Sequence, residues 1–109
     1  PLDKSAHISL VGPYATEKRS LLGSWCIDGK TDDMETLLDV MKKTCTGKFD
    51  YSCGYGLGWD SSAKNSYNSD VVVLALGESW SCTGEARAVS DISLPPEQLA
   101  LIQKNQVNR

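Results

Sequence analysis

The sequence is short of the residue types from which many catalytic centres are built. It holds one histidine, His7, in 109 residues. A Ser-His-Asp or Cys-His nucleophile system contained wholly in the chain would have to use that imidazole, and nothing in the sequence supplies it with a partner. Its four cysteines, Cys26, Cys45, Cys53 and Cys82, include no C-x-x-C pair. Structural zinc sites draw on such close pairs, so no metal or other cofactor is implied. Four cysteines are also too few for a fold built on disulfides, and the expectation is free, buried thiols. Positive charge is in deficit, with 11 Lys+Arg against 14 Asp+Glu for a net charge of −3. No basic stripe is present to meet phosphates, which argues against nucleic acid as a partner. The longest apolar run, 71–76, has six residues, where a membrane-spanning helix needs about 20. No charged-then-apolar leader opens the chain, so no signal peptide is expected within it.

What remains is an ordinary globular balance, 40% hydrophobic and 23% charged, which argues against disorder. The length suits one small domain burying roughly two-thirds of its unfolded surface. Residues 7–11 (HISLV) are apolar and β-branched and are stopped by Gly12-Pro13, so they read as a first strand. Residues 16–22 allow a helical turn. Asp32 precedes Glu35 at capping-box spacing, and Met34, Leu37, Leu38, Met41 and Cys45 then recur on one helical face. Gly47 reads as the stop of that helix. Residues 49–53 (FDYSC) alternate as a second strand does, before a glycine-rich loop at 54–59. Residues 71–76 (VVVLAL) are apolar throughout, the pattern of a central strand covered on both faces. Pro95-Pro96-Glu97 opens a last helix with Leu99, Ile102 and Gln103 turned inward.

This order of elements is that of an α/β fold: a small, mostly parallel open sheet flanked by helices, a partial α/β sandwich that is flavodoxin-like in pattern. Two features suggest part of something larger. Three strands make a narrow sheet with open edges. The crossover between the second and third strands has room for a helix, yet residues 60–69 (DSSAKNSYNS) are polar and turn-rich.

Among the motifs, Gly54-Tyr55-Gly56-Leu57-Gly58 follows a strand, but a dinucleotide fingerprint needs Gly or Ala at position 59, where Trp59 stands. It reads as a flexible loop. Gly47-Lys48 lacks the rest of a P-loop. The loop 77–87 (GESWSCTGEAR) is richer in chemistry. It leaves the carboxyl end of a strand, where α/β sheets place ligands. It carries Glu78, Trp80, Glu85 and Arg87. A carboxyl beside an aromatic wall suits a general acid, and an indole stacks on the apolar face of a sugar ring. Trp25, Trp59 and Trp80 together would form a stacking surface, although Trp25 reads more simply as core. Lys18 and Arg19 read as a solvated helix face, and Arg87 and Asp91 as a surface ion pair or a device to orient Glu85.

Several segments together resemble a known family. Ser9-Leu10-Val11-Gly12-Pro13-Tyr14-Ala15, followed by Lys18-Arg19-Ser20-Leu21-Leu22-Gly23-Ser24-Trp25, is similar to the start of the second domain of glycoside hydrolase family 3, which includes periplasmic bacterial β-glucosidases. Thr36-Leu37-Leu38-Asp39 resembles its next helix, and Tyr51-Ser52-Cys53-Gly54-Tyr55-Gly56 its Tyr-Ala-x-Gly-Cys stretch. Ser69-Asp70-Val71-Val72-Val73 and Gly77-Glu78 resemble its central strand, and Gly84-Glu85-Ala86-Arg87 with Ser90-Asp91-Ile92-Ser93-Leu94-Pro95 is the nearest likeness.

The resemblance implies a retaining β-glycosidase of two domains, with an Asp nucleophile on a TIM-like barrel and the present α/β sandwich closing over the site. It implies Glu85 as general acid/base, with Glu78 as the second candidate; Trp80 and Arg87, from the chemistry of the same loop, are the candidate substrate-binding residues. The implied partners are a β-glucoside or oligosaccharide and an N-terminal barrel, and the implied location of the parent enzyme is periplasmic or secreted. The chain departs from the family pattern where a helix should precede the Ser-Asp-Val-Val-Val strand. Without the barrel's nucleophile, the chain alone is expected to be inactive. The alternatives are a non-catalytic carbohydrate-binding or interaction module of the same fold, and a nucleotide or phosphate binder, which the failed glycine motif disfavours.

Overall fold

The computed structural model describes residues 2–54 and 68–107. Its centre is a parallel sheet in the order β2-β1-β3, with β1 at Ile8–Val11, β2 at Phe49–Ser52 and β3 at Val71–Leu74. Ile8 stands opposite both Phe49 and Val71, and Val11 opposite both Ser52 and Leu74, so the three strands run in step. All four residues of β1 are buried, whereas those of β3 are half-buried. The expectation that the apolar run at 71–76 is the central strand is therefore corrected: the central strand is β1. An apolar run reports how well the two faces of a strand are covered. It does not report how many strands lie beside it.

Side chains alternate across a strand, and the two faces acquire different covers. On one face, Ile8 and Leu10 pack with Leu38 and Met41, joined by Phe49, Tyr51, Val71 and Val73. On the other, Val11 lies close to Leu101 across Gly54, where an added Cβ would sit 2.8 Å from Leu101 and 3.1 Å from Val11. Val72 and Leu74 share that second face and line a cleft with Ile102 and Asn105. The result is a helix–sheet–helix sandwich around β1.

The helices are α1 (Arg19–Leu22), α2 (Leu37–Thr44) and α3 (Pro96–Val107). The cap of α2 is not Asp32 with Glu35, since Asp32 belongs to a separate 3-10 turn at Thr31–Asp33. Thr36 caps it instead. The Asp39 N–H donates to Thr36 Oγ1 (3.1 Å), and the Thr36 N–H donates to Asp39 Oδ2 (3.0 Å). Such a cap is worth about 1 kcal/mol, and hydrogen bonds from the Thr36 N–H and hydroxyl hold the Asp39 carboxyl below its ordinary range. Leu38 and Met41 face inward as the spacing implies, while Leu37 is exposed and Met34 precedes the helix. Gly47 does not stop α2, which closes at Cys45. Its role is close approach: a Cβ there would lie 2.2 Å from the carbonyl oxygen of Ser5.

In α3 the inward residues are Gln98 and Leu101, and Leu99 and Gln103 are exposed. The buried face is thus set one residue away from the expected Leu99, while Ile102 is half-buried against the cleft it shares with Val72 and Leu74. Gln98 enters the interior because both its amide oxygen and its amide nitrogen are hydrogen-bonded there, which a pattern of apolar residues alone does not register.

The edge of the sheet where the strands begin holds a charged cluster. His7 Nε2 lies 2.6 Å from Asp50 Oδ2, and Lys48 Nζ lies 3.5 Å from the same oxygen. Asp70 accepts from the His7 backbone N–H at 2.9 Å. Hydrogen bonding from His7, with Lys48 close by, holds the Asp50 carboxyl below its ordinary value near 3.8. The single imidazole is therefore a strut at the sheet's amino edge, at the opposite end from the loops that follow the strands.

Candidate functional site

Because the strands are parallel, their carboxyl ends form one rim. Gly12, directly after β1, has φ +131°, and a Cβ there would lie 2.3 Å from the Ala75 carbonyl oxygen. Glycine lets the exits of β1 and β3 touch, and the Tyr14 N–H then donates to that same carbonyl (3.2 Å). Two residues on, Gly77 is held from both sides of its peptide by Gln98. Its N–H donates to Gln98 Oε1 (2.8 Å), and its carbonyl accepts from Gln98 Nε2 (2.8 Å).

The chain then turns away from the sheet through Glu78 and Ser79 into a 3-10 turn at Trp80–Cys82, where Ser79 Oγ accepts from the Ser81 N–H. The Arg19 guanidinium, from α1, sits 4.8 Å from the centre of the Trp80 ring. Ser24 Oγ and Thr83 Oγ1 are 3.2 Å apart, and Gly84 (φ +118°) faces the same Ser24. The loop after β3 is thereby docked on the segment after β1, with Glu85 the next residue along.

Glu78 and Glu85 are both exposed. Among the described residues, neither carboxylate has a hydrogen-bond or ion-pair partner. Trp80 is 40% exposed, with a cation against its ring, an arrangement worth about 0.5–1 kcal/mol at a wet surface. Arg19 is therefore not simply solvated. Arg87 is exposed, and its N–H donates to the Gly84 carbonyl (3.1 Å), which tightens the turn beside Glu85. Arg87 is not paired with Asp91 among the described residues. Asp91 accepts from the Ser93 N–H (2.8 Å), and hydrogen bonding from the Ser93 side chain and then its N–H lowers the carboxyl's pKa.

Trp25 is not core but 72% exposed. The one-turn helix before it buries no side chain, so no apolar floor extends beneath the indole. Trp59 and the glycine run at 55–58 lie outside the described residues. The four cysteines are free thiols, each half-buried. One residue that the sequence pattern does not single out now belongs to the site's framework, Gln98, a polar residue inside a helix, and Arg19, read from the sequence as a solvated charge, joins it through Trp80.

An exposed carboxyl group on a docked loop that also carries an indole can exchange a proton with an oxygen of a ligand laid across the rim. Comparison with known proteins gives this arrangement a family. Residues 1–108 match the Glycosyl hydrolase family 3 C-terminal domain. The chain is 27% identical over 130 residues to a periplasmic beta-glucosidase of Salmonella typhimurium, covering 94% of this chain and 17% of that protein. It is 32% identical to the beta-glucosidase of Listeria innocua crystallised with glucose, with a TM-score of 0.81, over 99% of this chain and 15% of that one. The same values of identity and TM-score hold for that enzyme crystallised with isofagomine, of which the chain covers 16%. The chain thus spans about one-sixth of the relatives it matches. With the match running through the sheet, the docked loop and the last helix, it belongs to the C-terminal domain of family 3 glycosyl hydrolases.

Proposed function

We propose that this chain supplies the acid/base half of a retaining β-glucosidase site, with the nucleophilic carboxylate carried on a barrel elsewhere in the whole enzyme. Glu85 is the proton donor in this reading, and Glu78 is the alternative donor. The observation that carries it is the docked loop: it leaves the carboxyl end of β3 and presents both glutamates to solvent, in a chain that aligns over 99% of its length with a β-glucosidase holding glucose. In the first step the protonated carboxyl gives its proton to the glycosidic oxygen while the barrel's Asp attacks the anomeric carbon. The bond to the leaving alcohol breaks and a glycosyl ester forms. In the second step the same carboxylate takes a proton from water, which attacks the anomeric carbon and releases the Asp. A retaining pair requires the two carboxyls about 5–5.5 Å apart. Trp80 stacks on the sugar and Arg87 hydrogen-bonds its hydroxyls. The parent enzyme acts in the periplasm, as the Salmonella relative's name says of that protein.

The test is made in the whole enzyme, barrel included, on two substrates. Glu85→Gln is expected to lower kcat/KM by roughly 10²–10⁴-fold on an alkyl β-glucoside, whose departure needs a proton. A dinitrophenyl β-glucoside, whose departure does not, should be far less affected. If only Glu78→Gln shows that split, the role passes to Glu78; if neither does, the reading is wrong. The chain without its barrel should not turn over an aryl β-glucoside, and turnover abolished by Glu85→Gln would refute that.

The exposure of Trp25 and Trp80 favours one second reading, a module that binds carbohydrate without cleaving it. Titration of the chain with glucose and cello-oligosaccharides, followed by tryptophan fluorescence, separates the two. A binder saturates and loses saturation in Trp80→Ala, whereas half of an active site shows neither.

A further inference from the structure

We infer that Gln98 is a positioning residue for the proton-donating loop, a role that rests on the function proposed above. Gln98 is 2% exposed and carries no charge, yet it sits on the buried face of α3 at the point where β3 hands over to the loop. Its carboxamide takes both hydrogen-bonding groups of Gly77, each at 2.8 Å, as a neighbouring strand would. Gly77 lies beyond the last ladder residue, Leu74, where among the described residues no strand continues the pairing. Glu78 is the next residue, and the other ties of the loop, Arg19 on Trp80 and Ser24 with Thr83, lie nearer the surface. The buried clamp therefore fixes the direction in which the loop departs, and the outer contacts fix where it lands. A carboxamide serves both groups at once, at any pH. A carboxylate of the same shape accepts from the Gly77 N–H but opposes its carbonyl, and a thioether serves neither. This is a geometric function: the donor stays chemically intact when the clamp is lost, but its placement is not held.

The experiment uses Gln98→Glu and Gln98→Met in the whole enzyme, with Glu85→Gln and Glu78→Gln alongside. Deuterium exchange is read at the Gly77 and Leu10 amides. In Gln98→Met, exchange at Gly77 should accelerate at least about tenfold with Leu10 unchanged, and in Gln98→Glu the same acceleration should set in as pH rises and the new carboxyl ionises. The alkyl β-glucoside should lose roughly 10–100-fold in kcat/KM, a loss on the scale of a misplaced catalytic group. The dinitrophenyl β-glucoside should stay within about threefold. Unchanged exchange at Gly77 overturns the clamp. Parallel losses on both substrates, or no loss, overturn the positioning role while a split in a glutamate variant leaves the catalytic reading standing. If neither glutamate variant shows a split, the catalytic reading fails first, and this role goes with it.

Discussion

Where the strands begin, His7 and Lys48 both hold the Asp50 carboxylate and Asp70 holds the backbone of His7. Where the same strands end, Glu78 and Glu85 face solvent with no partner among the described residues. The contrast extends to the large apolar side chains. Those on β1 are buried, while on the rim side Trp25 is 72% and Ile92 98% exposed. What the rim does fix is its backbone, through the contact of Gly12 with Ala75 and the clamp on Gly77. One end of the sheet satisfies its polar groups internally and can only stabilise. The other leaves its side chains available above a rigid main chain, the condition a ligand site requires.

The sharpest way to break this contrast is to attack the rim's backbone. Gly12→Ala puts a Cβ where the Ala75 carbonyl oxygen already lies, at a φ of +131°. Strain and overpacking together should destabilise the fold by about 2–4 kcal/mol, read as a shift in the urea midpoint. A loss under about 0.5 kcal/mol would mean that the rim is soft and the contrast is wrong.

A second test addresses the amino edge through pH. The Asp50 carboxyl is held below its ordinary value near 3.8. Its contribution is therefore fully present above that value and is lost as pH falls through the lowered one. Between about pH 5 and about pH 2, Asp50→Asn should lose less stability than the parent chain, because it has no such proton to take up. Identical acid limbs would show that the cluster does not stabilise. The smallest expected effect lies at the exposed rim. Trp25→Ser and Glu85→Gln should each leave the urea midpoint within about 0.5 kcal/mol of the parent value, because neither side chain is buried. A larger loss from either would make that residue structural.

The strands were legible because each combines apolar residues with a stop, and the parallel α/β arrangement follows from their alternation with helices. Pairing order was not legible. VVVLAL is more hydrophobic than HISLV, yet the latter lies between two neighbours and buries even Ser9. The start of α2 was misplaced because Asp32 and Glu35 imitate a cap that Thr36 and Asp39 actually form. Gln98 was hidden for a related reason: an amide whose partners are backbone groups far along the chain looks like surface in the sequence. Trp25 erred in the opposite sense, since its size suggests burial and only the brevity of α1 prevents it. As for the site, the loop's acids and indole were visible in the residues, but Glu85 stood out from Glu78 only through a family likeness.

The position of β1 has a consequence for how the chain is made. Its two neighbours lie about forty and about sixty residues downstream. At roughly 5–20 residues per second of synthesis, β1 waits about 3–12 s after emerging before its second neighbour exists. Among the described strands β1 is made first yet is paired on both sides only when Val71–Leu74 arrives, so closure of this sheet depends on a long-range contact rather than on any local turn.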